Sequence, residues 1–128
     1  MKARDNALRL RRHAVDEKAR KVEDLERMIR EFDNMAADLD RQIQVEEDRT
    51  GIRDKYHFSY STYAKAAAQR RDNLRTSNDG MREQLADAIR ERDDAAEQLA
   101  RYVAQNDSRE ELRTTRRRPG QVAGAGLR

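Results

Sequence analysis

The chain has 128 residues, 41% of them charged and 36% hydrophobic, with two Phe, four Tyr, no Trp and no Cys. That balance excludes a large globular core, disulfides and thiolate metal sites, and it points to long helices or coiled coil. Net charge is only +3 but unevenly placed: residues 1–21 hold eight Lys and Arg against three Asp and Glu, residues 109–128 hold six against two, and the middle is acidic.

A first helix is predicted over residues 5–50. Leu8, Val15, Val22, Ile29, Ala36 and Ile43 recur every seven residues, and Leu25, Phe32 and Leu39 follow three residues after their neighbours. Such a stripe occupies one face of a helix and must be buried against another helix. High charge and low hydropathy also describe disordered chains, but the sustained phase argues against disorder here. Toward the N-terminus the stripe turns polar, with Arg11 and Lys18 at the positions three after Leu8 and Val15. Either that end is a surface for a partner, or the long aliphatic stems cover the stripe while their charges reach water. Gly51 stands where a helix C-cap needs a left-handed residue.

A bend is predicted over 51–60, then a second helix over 61–107. Ser59, Ser61 and Thr62 are its candidate N-caps. Its apolar positions are Ala67, Leu74, Met81, Leu85, Ile89, Ala96, Leu99 and Val103, in looser phase than in the first helix. Asn106-Asp107-Ser108 is a weak point, and Ser108 with Glu111 has capping-box spacing. Pro119-Gly120 is expected to end any helix, leaving residues 109–128 as a basic, mostly disordered tail. Four of the aromatics, Tyr56, Phe58, Tyr60 and Tyr63, crowd around the bend. They form either an exposed interaction surface or a small local core.

Two helices of similar length and a short connector imply an all-α fold, two long helices forming an antiparallel coiled-coil hairpin with a disordered C-terminal tail. At 1.5 Å per residue each helix is roughly 70 Å long. With the bend centred near residues 55–56, Val22 is expected opposite Ile89, Val15 opposite Ala96 and Leu8 opposite Val103. Phe32 falls opposite Asp79-Gly80, so Gly80 either makes room for the ring or marks a kink. The antiparallel order brings both basic chain ends together. Arg9, Arg11, Arg12, Lys18 and Arg101 are therefore the candidate contacts at that extremity, with Tyr56, Phe58, Tyr60 and Tyr63 at the bend.

The chain holds no catalytic constellation in this reading. Its two histidines, His13 and His57, fall about 60 Å apart on the hairpin and share no metal. Carboxylates alternate with Lys and Arg as on solvated helix faces. No Gly-rich phosphate loop is present, so no enzyme activity, cofactor or small-molecule ligand is expected. The run Arg113-Thr114-Thr115-Arg116-Arg117-Arg118, with Arg9, Arg11 and Arg12, has the character to grip phosphate, but no readout motif accompanies it. A nucleic-acid-associated protein and a generic coiled-coil scaffold are the alternative readings. No apolar stretch reaches membrane-spanning length and Met1–Asn6 has no signal-like apolar run, so a soluble cytoplasmic protein is expected.

Several segments resemble the flagellar export protein FliJ family of alphaproteobacterial type. These are Leu8-Arg9-Leu10-Arg11-Arg12, Val15-Asp16-Glu17-Lys18 and Met35-Ala36-Ala37-Asp38-Leu39-Asp40. They continue with Thr50-Gly51-Ile52, His57-Phe58-Ser59-Tyr60, Tyr63-Ala64 and Arg70-Arg71-Asp72-Asn73-Leu74. The resemblance covers about residues 1–105; the bend is its specific part and the tail departs from it. It implies a two-helix antiparallel coiled coil similar to the central stalk of rotary ATPases. Its implied partners are the hexameric flagellar export ATPase, the export-gate membrane protein and export chaperones. Its implied place is the cytoplasmic face of the inner membrane at the flagellar base. No sharp interaction motif is carried over; the basic extremity for the ATPase and the aromatic bend for the gate rest on the residues themselves.

Overall fold

The computed structural model describes residues 2–126, with side chains described through Thr115. Helix α1 spans Lys2–Thr50 and helix α2 spans Thr62–Gly126, with residues 51–61 as the connection and no strand among the described residues. The protein is all-α, an antiparallel coiled-coil hairpin. Contacts divide it into two compact units: unit 1 comprises residues 1–19 and 90–128, and unit 2 comprises residues 20–89.

In unit 2 the α1 stripe is buried as its spacing requires, at Val22, Leu25, Ile29, Ala36, Leu39 and Ile43. Its counterpart on α2 is the series Ala64, Ala67, Arg71, Leu74, Asn78, Met81, Leu85 and Ala88, whose members are all buried or half-buried. Steps of three and four residues alternate along it, the spacing of a coiled-coil seam. Three of its members are alanines that lose nearly all exposure, Ala64, Ala67 and Ala88. They lie against the larger residues of α1: Leu39 and Ile43 cluster with Tyr60, Ala64 and Ala67, and Val22 and Leu25 cluster with Ala88. Small residues let helix axes approach, and large ones opposite fill the space. The cross-helix pairs Asp33–Asn78 and Asp40–Arg71 have indices summing to 111, the register the bend dictates.

Three expectations for α2 need correction. Ile89 packs on the Val22 cluster, but Ala88 is the buried residue there. Ala96 and Val103 are exposed, and Ala95 and Tyr102 take the seam positions instead. The expected stripe falls one residue off at these three positions, whereas Ala67, Leu74, Met81, Leu85 and Leu99 lie in the seam as expected, which also passes through Arg71, Asn78, Arg92 and Asn106. Gly80 neither receives Phe32 nor breaks the helix. An added Cβ there meets nothing within 4 Å, and α2 runs through it unbroken. Phe32 instead lines a shallow concavity with Met35, Arg70, Asn73, Leu74 and Ser77.

The end of α2 also differs from expectation. The helix continues past Asn106–Ser108 and through Pro119 to Gly126. A proline costs a helix interior one donor and a crowded carbonyl, but it does not dictate the path of the chain. Residues 109–115 are helical and exposed, which corrects the expected tail there; the expected disorder of the remainder falls on 116–128, whose side chains lie outside the described residues.

In unit 1, Leu8, Val15 and Lys18 on α1 and Arg92, Ala95, Leu99, Tyr102 and Asn106 on α2 are half-buried. No described side chain of this unit is fully buried.

Candidate protein-interaction surfaces

Unit 1 gathers the two basic chain-end segments. It carries fifteen Lys and Arg against ten Asp and Glu, whereas unit 2 carries thirteen against fifteen. Its seam cations find partners across the helix pair. The Arg11 guanidinium lies over the Tyr102 ring, 4.3 Å from its centroid. Lys18 Nζ donates to Glu91 Oε2 at 3.2 Å. Arg4, a residue the sequence reading did not single out, donates to Glu110 Oε1 at 2.8 Å. Its position four before Leu8 was the available signal. Arg101 pairs with Glu97 on its own helix at 2.6 Å.

Of the two alternatives for the polar seam, the geometry favours stems and charges satisfied within the unit at Arg11 and Lys18. Arg9 and Arg12 are different. Both are exposed, and neither has an ion-pair partner among the described residues. Leu10, between Arg9 and Arg12 in sequence, and Leu112, beside Arg113, are exposed at 68% and 61%.

The bend of unit 2 is built by local capping. Gly51 takes φ 75°, and its N–H donates to the Glu47 carbonyl at 2.8 Å, closing α1. Asp54 Oδ1 accepts from the Tyr56 N–H at 3.0 Å, an Asx turn that reverses the chain. Ser61 caps α2, its Oγ accepting from the Ala64 N–H at 3.2 Å and donating to Glu46 Oε1 at 2.9 Å.

This scaffold divides the four aromatics. Tyr60 turns inward, is buried in the Leu39–Ile43 cluster, and donates its hydroxyl to Glu47 Oε2 at 2.8 Å. Tyr60 is therefore not part of an outer surface, a correction to its expected role. Burial, with the Glu47 carboxylate as acceptor, raises its pKa above the ordinary tyrosine value. Tyr56 and Phe58 point outward, 96% and 95% exposed, and the Phe58 ring stacks on His57 with centroids 4.7 Å apart. Tyr63 is exposed on the first turn of α2, its hydroxyl donating to Gln42 at 3.0 Å.

Two charged groups near the bend are tuned by their neighbours. Hydrogen bonds from Arg49 and Ser61 hold the Glu46 carboxyl below its ordinary range. The Arg71 guanidinium, held chiefly by Asp40 at 2.7 Å, is shifted further upward.

Among the described residues no group of three or more His, Cys, Asp or Glu is placed to hold a metal ion, and no helix is long and apolar enough to cross a membrane. No family model, curated protein or solved structure matches the chain.

Proposed function

We propose that this protein is a non-enzymatic, stalk-like component of a flagellar type III protein export apparatus. In this reading unit 1 docks on the export ATPase hexamer, the exposed bend aromatics Tyr56 and Phe58 engage the export-gate membrane protein, and export chaperones bind the hairpin. Its place is the cytoplasm, peripherally associated with the inner membrane at the flagellar base. The all-α hairpin and the FliJ-like segments over about residues 1–105 support the reading.

The observation that carries it is the character of unit 1. Both basic chain-end segments meet there, no described side chain is fully buried, and Arg9 and Arg12 are exposed without ion-pair partners. A helix pair with little core of its own gains stability from a surrounding acidic partner, since binding to the folded form stabilises it.

The test is co-purification with the export ATPase of the same organism, reading hexamer content and ATPase rate with and without this protein. Both are expected to rise, and Arg9→Glu with Arg12→Glu should abolish the rise. No association in the presence of nucleotide would reject the stalk reading and return the protein to the scaffold class.

A further inference from the structure

The two edges of unit 2 differ in kind. Along one edge α1 presents an acidic residue every seven positions, Asp33, Asp40 and Glu47, and α2 answers with arginines. Asp40 pairs with Arg71 at 2.7 Å and Arg75 at 2.9 Å, and Asp33 pairs with Arg82 at 3.3 Å. Flanking charges of this sort close the side of a coiled coil and choose its partner.

The other edge has no such closure. Its α1 row is Met28, Met35 and Gln42, and its α2 row is Tyr63, Arg70 and Ser77. From Met28 to Val45 no ion pair crosses it, and the Tyr63–Gln42 hydrogen bond at 3.0 Å links the two helices there. Met28 and Met35 are 41% and 45% exposed, and Val45 and Tyr63 more so. Two shallow concavities lie along it, one holding Phe32, Met35 and Leu74, the other Gln42, Val45 and Tyr63. In a chain that is 41% charged, these two rows, apolar or neutral apart from Arg70 on the α2 side, stand apart.

We propose that this open edge seats a third helix, an amphipathic segment of a partner protein with an apolar stripe and a flank of Lys or Arg. The inference is independent of the export reading. Exposed methionine and aromatic side chains along a groove between two helices suit an apolar helix face read at every third or fourth residue. Charge sets the flank. Just outside the methionine row α1 carries Asp24, Glu31 and Asp38, again every seven residues. Asp24 and Asp38 pair with Arg27 and Arg41 of their own helix, exposed pairs that yield readily to a competitor. Glu31 has no ion-pair partner among the described residues. The outer α2 row, Ala66, Asn73 and Gly80, is uncharged. A second copy presenting this same edge brings an acidic row of its own and, from the facing α2 row, the single cation Arg70, so it answers the charge less well than a basic helix.

The experiment uses the full chain as bait for a displayed library of helices three heptads long, with a fixed apolar stripe and randomised flanks. Enriched binders are expected to carry Lys or Arg on one flank. As synthetic peptides they should bind roughly tenfold or more weakly when Met28→Glu and Met35→Glu are introduced together. They should be indifferent to Tyr56→Ser and Phe58→Ser. Glu31→Lys, which leaves the apolar surface intact, should shift the enriched flank toward Asp and Glu. The proposal is overturned if nothing enriches over the double-Glu variant, or if enriched binders ignore both edge changes. It is also overturned if sedimentation of the unliganded chain shows a dimer that Met35→Glu dissolves, because a second copy then occupies the edge.

Discussion

The same seven-residue frame on α1 runs through both units and is filled differently in each. In unit 2 its buried positions, from Val22 to Ile43, are all apolar, and the α2 residues facing them include three almost fully buried alanines. In unit 1 the frame reads Arg4, Leu8, Arg11, Val15 and Lys18, and cations there meet Glu110, Tyr102 and Glu91. Unit 2 is thus held mainly by full burial with ion pairs along one edge, and unit 1 by a half-buried seam with exposed ion pairs and a ring contact. Exposed pairs contribute little each, about 0–1 kcal/mol, whereas a buried aliphatic side chain contributes about 1.5–3 kcal/mol. One helix pair therefore carries a stable segment and a weak one, and the weak one is also the basic one.

Core truncation should separate the units most sharply. Ile43→Ala is expected to cost about 2–4 kcal/mol, and Leu8→Ala, at a half-buried site, about 1 kcal/mol or less. Urea titration followed by circular dichroism checks the pair; equal costs would break the distinction. Amide exchange should agree, with unit 1 opening at lower free energy than the amides around Leu39 and Ile43.

Asn78 sharpens the account of unit 2. It is 2% exposed, donates through Nδ2 to the Ile29 carbonyl at 3.1 Å and to Asp33 at 2.7 Å, and leaves its own Oδ1 buried without a partner. A buried seam asparagine trades stability for register. Asn78→Leu should raise stability by about 1–2 kcal/mol, while sedimentation should report species other than a single monomer. A stability loss would show that the two donated bonds outweigh the orphaned oxygen. Gly80→Ala, at an exposed helical site where a Cβ meets nothing, should add about 1 kcal/mol and raise Tm by a few degrees.

The smallest effect is at the bend. The raised pKa of Tyr60 means that the stability its neutral hydroxyl contributes is fully present below pH 10.0, the unfolded value, and is lost as pH rises through the folded value. Tyr60→Phe should cost about 1 kcal/mol at neutral pH and flatten the alkaline limb of a Tm-against-pH curve. The depressed pKa of Glu46 has the opposite sense: its contribution is present above pH 4.5 and lost as pH falls through the folded value. Glu46→Gln should flatten the acid limb.

The all-α hairpin, the α1 seam, Gly51 as the C-cap and Ser61 among the N-cap candidates were legible in the amino-acid order, because each rests on short-range rules of period and capping. The meeting of the basic ends followed from connectivity. Sequence placed only part of the α2 seam: Ala67, Leu74, Met81, Leu85 and Leu99 lie in it as expected, but so do Arg71, Asn78, Arg92 and Asn106, while Ile89, Ala96 and Val103 lie beside it. Arg71 and Asn78 hold seam positions because a carboxylate or a carbonyl of α1 stands opposite them. The division of the bend aromatics into Tyr60 inside and Tyr56 and Phe58 outside was decided the same way, by which ring could reach both the Leu39–Ile43 cluster and Glu47. The closed and open edges of unit 2 likewise emerge from pairing, because a row of acids on one helix acquires meaning only from the arginines that the tertiary register brings beside it.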